Sequence, residues 1–299
     1  MAATRHQRTV RATLTGLAVN CLLAGGKLAA GMAGRSDALI ADAVESLADI
    51  LGALIVWHGL AVSARPADDE HPYGHGKAES LAAAAIGTLL LLAASGIGLH
   101  GIRGFLTPHP PPATWTLAVL LGVLGVKEAL FRWVLREADA TDSSAVRSDA
   151  WHHRSDAITS LAAAIGIGLS VGSGGRWAGA DDAAAVVAAL VIAWNGWRIL
   201  RPALEELMDT QPSPALVRRI RDLAAGVPGV DRVQKCFARR TGYQFLVDMH
   251  VHVDPQMTVV ASHALAHAVK DRVRDGVPQV RDVLIHIEPS APGSGPRPG

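Results

Sequence analysis

Acidic and imidazole side chains recur in one pattern within two apolar stretches of this chain. The first is Asp42-Ala43-x-Glu45-x-x-x-Asp49, and the second is Asp149-Ala150-x-His152-x-x-x-Asp156. Residues four apart stack on one helix face, separated by about 6 Å of rise. Glu45 with Asp49 therefore aims one pair of donor atoms in a single direction, and His152 with Asp156 aims another. Ionisable side chains are costly inside a bilayer, so their presence in apolar spans marks function. Two such pairs facing each other make a four-donor set, one imidazole and three carboxylates, that suits Zn2+. Other first-row ions can use the same donors, because affinity order alone does not select among them. The competing reading is a helix–helix salt-bridge network, which needs a matching set of cations for three carboxylates. His153 breaks the four-residue spacing and reads as packing or polar lining. Asp42 and Asp149, one turn earlier, read as hydrogen-bonding, capping or cavity-lining groups.

Two further groups carry ligand chemistry. After the second apolar stretch comes Asp68-Asp69-Glu70-His71-Pro72-Tyr73-Gly74-His75-Gly76-Lys77. Histidines four apart behind an acidic run can collect a cation, while Pro72, Gly74 and Gly76 would equally mark a solvated turn. Near the C-terminus stand His250, His252, His263, His267, His286 and Glu288. Alternate residues share a strand face, so His250 pairs with His252 and His286 with Glu288; His263 and His267 share a helix face. This density reads as a regulatory or dimer-bridging metal site, with ordinary surface histidines as the alternative, above all for His252 and His267.

The elements that must position these groups follow from the apolar pattern. Six segments are long enough to span a bilayer: Thr9–Ala33, Asp37–Ala64, Leu81–Arg103, Thr114–Leu135, Ser148–Val171 and Asp182–Leu200. The first follows Arg5, Arg8 and Arg11, but it is long for a signal core and contains Lys27. It reads as a retained helix. Basic residues cluster at the N-terminus and after the second and fourth spans, which predicts cytoplasmic termini and a cell-membrane (inner-membrane) location. The repeated phrase then falls in spans two and five, which cross in opposite directions, as in inverted-repeat transporters. Gly and Ala abound in the spans and permit close helix approach.

Composition bounds the rest. Of 299 residues, 49% are hydrophobic and the net charge is +1, so no basic field points to nucleic acid. Two cysteines, Cys21 and Cys236, make neither a disulfide framework nor a thiolate metal cluster. Beyond Gln211 the pattern becomes that of a small folded domain: helix Ser213–Ala225, strands Val230–Arg240 and Gln244–Val253, helix Val259–Arg274 and strand Asp282–Ile287. The fold class is thus an all-α six-helix transmembrane domain followed by an α-β-β-α-β sandwich. The expected division is a transport domain over 1–208, a cytoplasmic metal-binding and dimerisation domain over 209–289, and a disordered tail over 290–299.

These residues together resemble the cation diffusion facilitator family over essentially the whole chain before the tail. The wording is most specific in the loop, Pro66-Ala67-Asp68 followed by His71-Pro72-Tyr73-Gly74-His75-Gly76-Lys77-Ala78-Glu79. The resemblance implies homodimeric export of Zn2+ or related divalent ions against protons, and a ferredoxin-like, metallochaperone-like C-terminal domain. It implies a central site at Glu45, Asp49, His152 and Asp156, and a second metal on Asp68, His71 and His75. It also implies a cytoplasmic site at His250, His263, His286 and Glu288, and a charge pair between Lys77 and Asp209. Two positions depart from the family pattern: Glu45 stands where Asp is usual, and Gln234 where some members have His. Lys127 and Glu128 match no ligand role, although Glu128 and Arg132 are spaced to pair.

The resulting expectation is a proton-coupled exporter of divalent metal, most simply Zn2+, needing no separate cofactor. Fe2+, Mn2+, Co2+ or Cd2+ is the alternative cargo. An intramembrane zinc hydrolase is the rival from another class. It is disfavoured because no His-Glu-x-x-His phrase occurs and four protein ligands leave no open position for water.

Overall fold

Six long helices follow one another from the N-terminus in the computed structural model: α1 (Ala2–Gly34), α2 (Asp37–Ser63), α3 (Lys77–Leu106), α4 (Trp115–Thr141), α5 (Ser144–Gly172) and α6 (Ala180–Leu207). The structure describes residues 2–107, 110–141, 144–173, 176–177, 179 and 180–290, apart from the side chains of 2–13, 140–141, 144–153, 155 and 158–159. Among the described residues three segments are long and apolar enough by themselves to cross a membrane: Leu14–Gly34, Lys77–Leu106 and Ala180–Leu207. Six spans were expected. Helix α4 falls short because of the charges it carries, Lys127, Glu128 and Arg132, and α5 counts only as the shorter apolar helix Ser160–Gly172.

Contacts divide the chain into two units, residues 1–55 with 85–200, and residues 56–84 with 201–299. In the first, Ala38 and Leu39 of α2 pack with Leu120 and Val123 of α4 and with Ala163, Ala164 and Ile167 of α5. A second cluster joins Ile86, Leu90 and Ala94 of α3 to Ile192 of α6. Lipid offers no hydrophobic drive for such packing, so close contact must supply it. At the α3–α6 crossing two glycines make that possible. A Cβ on Gly87 would lie 2.7 Å from the Leu200 Cβ, and one on Gly196 would lie 2.9 Å from the Leu90 Cβ.

The second unit contains the predicted small domain: α7 (Pro214–Ala225), β1 (Arg232–Thr241), β2 (Gln244–Val253), α8 (Val259–Gly276) and β3 (Val280–Pro289). Helix α7 starts at Ser213, whose hydroxyl accepts from the Leu216 amide, with Pro214 in the first turn. Strands β1 and β2 form a hairpin closed at Thr241↔Gln244, where Gly242 adopts φ +61° in a two-residue turn. Strand β3 then pairs parallel to β2, a connection that requires the intervening helix α8. Ile220, Val269 and Val273 from the helices meet Val247, Met249 and Val251 of the central strand. Each fully buried aliphatic side chain contributes about 1.5–3 kcal/mol. Strand β1 starts two residues later than the apolar run predicts, because the Val230 amide is held in a turn by the Val227 carbonyl. Residues 291–299 of the expected tail lie outside the described residues. Ser290, assigned to that tail, is instead anchored by its amide to the Val253 carbonyl at 2.9 Å.

Candidate metal centres

Helices α2 and α5, which carry the repeated phrase, are in contact. The Ser160 hydroxyl donates to Asp42 Oδ1 at 2.7 Å, and Glu45 interacts electrostatically with Asp49 and Asp156. From 42 to 45 the chain advances along α2, while from 160 to 156 it recedes along α5, so these helices run antiparallel. The side chains of His152, His153 and Asp149 lie outside the described residues. Glu45 and Asp49 open into a cavity of about 260 Å³, also lined by Leu90, Ile192, Asn195, Arg198 and Ile199.

The competing salt-bridge reading requires cations near these carboxylates. Two lysines are enclosed in this unit, Lys27 at 0% exposure and Lys127 at 2%. The Lys27 ammonium lies 2.8 Å from Asp42 Oδ2 and donates to Ser46 Oγ at 2.6 Å and to the Asp42 carbonyl at 2.9 Å. Asp42 is therefore a helix-fastening group, held from α1 by Lys27 and from α5 by Ser160. Lys127 of α4 lies 3.6 Å from Asp156 Oδ2. The rule that singled out the carboxylates, an ionisable side chain inside an apolar span, applies equally to both lysines and is the signal that would have found them. Glu128 does pair with Arg132, at 2.7 Å.

In the second unit, Asp68, His71 and His75 offer donor atoms that all lie within 4.8 Å of one another. The Asp68 carboxylate bridges the imidazoles, with Oδ1 3.1 Å from His71 Nδ1 and Oδ2 3.5 Å from His75 Nε2. The loop that assembles them turns on Gly74, whose φ of +74° favours glycine. The His71 amide donates to Asp68 Oδ1 at 2.7 Å. That bond holds the Asp68 carboxyl below its ordinary pKa and keeps it ionised.

His250, His286 and Glu288 form the other group within 4.8 Å. Strand register explains it: β2 and β3 pair His250 with His286 and His252 with Glu288. Glu288 Oε1 lies 2.6 Å from His250 Nδ1 and 3.7 Å from His286 Nε2, while Oε2 lies 2.9 Å from His252 Nε2. The hydrogen bond from His250 lowers the Glu288 pKa. His252 is not a surface histidine; it is 6% exposed and also meets Gln234 Oε1 at 3.3 Å. Gln234 thus stands beside the site, next to the irregularity in β1 between Val233 and Lys235. His263 is not brought into this group. It lies on α8 against His267, ring centroids 4.7 Å apart. Lys77 and Asp209 do pair, at 2.8 Å.

Comparison with known proteins accords with both halves of this description. Residues 13–208 match the family model of the cation efflux transmembrane domain, and residues 212–290 that of the cation efflux protein cytoplasmic domain. The chain belongs to the cation efflux, or cation diffusion facilitator, family. It is 30% identical to the manganese efflux system protein MneP of Bacillus subtilis, over 97% of this chain and 99% of that protein. It is 32% identical to the magnetosome protein MamM of Paramagnetospirillum magneticum, over 95% of this chain and 89% of that protein. It is 31% identical to metal tolerance protein 2 of Oryza sativa, over 91% and 76% respectively. As a cation efflux protein it is a membrane transporter rather than an enzyme, which removes the hydrolase rival.

Proposed function

We propose that this cation efflux protein exports a divalent metal from the cytoplasm in exchange for protons, by alternating access to one buried site. The observation that supports it is that α2 and α5, which bear Glu45, Asp49 and Asp156, run antiparallel and are joined by the Ser160–Asp42 hydrogen bond. Glu45, Asp49, His152 and Asp156 are the proposed cargo ligands. Such ligands shed protons to bind metal, so cation and proton compete for the same atoms. Each elementary charge moving inward gains about 2.3 kcal/mol per 100 mV. Net inward charge can therefore drive export.

Residues 1–208 are the proposed transport domain. Residues 209–289 form the proposed cytoplasmic metal-binding domain, through which two copies dimerise. In this reading both termini face the cytoplasm of a cell (inner) membrane protein. Asp68, His71 and His75 hold a second metal beside the cytoplasmic opening, and His250, His286 and Glu288 a regulatory one. His263, on α8, is the fourth proposed ligand of the regulatory site by resemblance alone.

Zn2+ fits the imidazole-containing donor set. Mn2+ is the second reading, supported by three oxygen donors of four and by the name of the relative MneP, matched over 99% of its length. Purified protein in liposomes loaded with a pH-sensitive dye tests the proposal. Addition of the exported cation should move protons only with the wild-type site, and the larger response, to Zn2+ or to Mn2+, identifies the cargo. Metal flux without proton movement contradicts antiport.

A further inference from the structure

The two enclosed lysines are held in different ways. Lys27 has three contacts of 2.6–2.9 Å with Asp42 and Ser46, and Ser160 holds the other Asp42 oxygen. That group links three helices through close contacts. Lys127 lies 3.6 Å from Asp156 Oδ2, beyond the range of about 2.7–2.9 Å for a charge-assisted hydrogen bond. No hydrogen bond from Lys127 appears among the described residues. Asp156 keeps 15% of its surface exposed, whereas Asp42 keeps 3%. The Lys127 ammonium also acts electrostatically on Glu45, across the same group of carboxylates.

A buried carboxylate is costly unless positive charge stands near it, and the Lys127 ammonium, 3.6 Å from Asp156 Oδ2, contributes to that balance. It does so from a flexible four-carbon stem, as a point charge that can swing aside. A divalent cation arriving at Asp156 would bring a second positive centre to the same carboxylate, and the two repel. We propose that Lys127 is a specificity-determining and positioning residue of the transport site: a tethered counter-cation that holds Asp156 between cycles, gives way to the cargo, and weakens cargo binding enough for release. This rests on the reading of Asp156 as a cargo ligand.

The test is a concentration series of initial Zn2+ and Mn2+ uptake by full-length protein in inside-out liposomes at fixed pH. Lys127→Met should lower KM about tenfold and also lower kcat, because cargo then binds without electrostatic competition and leaves slowly. Lys127→Arg, which keeps the charge, should retain both constants within about twofold. Lys127→Gln carries the same expectation as Lys127→Met should the methionine variant not fold. A purely structural ion pair would cost folded protein and kcat without lowering KM. An unchanged or raised KM in the charge-removing variants, beside loss of saturable uptake in Asp156→Asn, overturns the role of Lys127 while keeping the site. Wild-type KM and kcat in Asp156→Asn overturn the site itself.

Discussion

In the membrane domain Asp42 and Asp156 each sit beside a lysine, whereas in the cytoplasmic domain Glu288 gathers the imidazoles of His250, His252 and His286. Low dielectric forces the first arrangement. A carboxylate out of reach of water needs a permanent positive neighbour, and lysine supplies one without being a metal ligand. The strand pairing permits the second, since an imidazole has a lone pair to offer a cation. Under the proposed transport, a cation reaching the membrane site would compete with charge already present, and one reaching the strand site would not. The first arrangement would then favour passage and the second retention.

The largest effect should come from breaking the fully enclosed pair of Lys27 and Asp42. Lys27→Met leaves Asp42 buried and uncompensated, at a cost of about 3–5 kcal/mol. Thermal unfolding of detergent-solubilised protein, followed by size exclusion, should show it, and adding Asp42→Asn should recover much of the loss. Met249→Ala offers the cytoplasmic counterpart. It empties a position 1% exposed in the sheet core and should cost about 2–5 kcal/mol. A membrane pair no more sensitive than a surface one would dissolve the contrast between the halves.

His252→Ala removes a group that steadies Glu288 and should weaken Zn2+ binding at the strand site about 10–100-fold. Calorimetry in an Asp68→Asn, Asp156→Asn background isolates that site. Acidification sharpens the comparison further. Glu288 has a lowered pKa, so its contribution to stability is complete above the ordinary value of 4.5 and is lost only as pH falls below that. Circular dichroism should therefore show no loss of fold from this group until the pH falls below 4.5. The smallest effect is expected at Lys77, 44% exposed in its pair with Asp209, where Lys77→Ala should shift stability by less than about 1 kcal/mol.

The cytoplasmic fold was legible because its signals are local. Ser213-Pro214 announces a helix start, Gly242 a tight turn, and alternating apolar residues the strands. The pairing of His252 with Glu288 was not legible, because it depends on the parallel register of β2 and β3, which only the assembled sheet sets. In the membrane domain, periodicity along α2 and α5 singled out Glu45, Asp49 and Asp156. Periodicity says nothing of what a neighbouring helix contributes, so Lys27 on α1 and Lys127 on α4, which belong to no repeated phrase, carried no pattern. His263 shows the opposite limit: resemblance grouped it with His250, and the fold keeps it on α8 beside His267.

The central claim is that carboxylates on α2 and α5 carry the cargo together. Initial rates of Zn2+ and Mn2+ uptake under an imposed pH gradient, in liposomes with equal amounts of folded wild type, Asp49→Asn and Asp156→Asn, test it most directly. Loss of gradient-driven uptake in both variants, about 100-fold or more for removal of a coordinating charge, is the predicted result. Wild-type rates in either variant would contradict it.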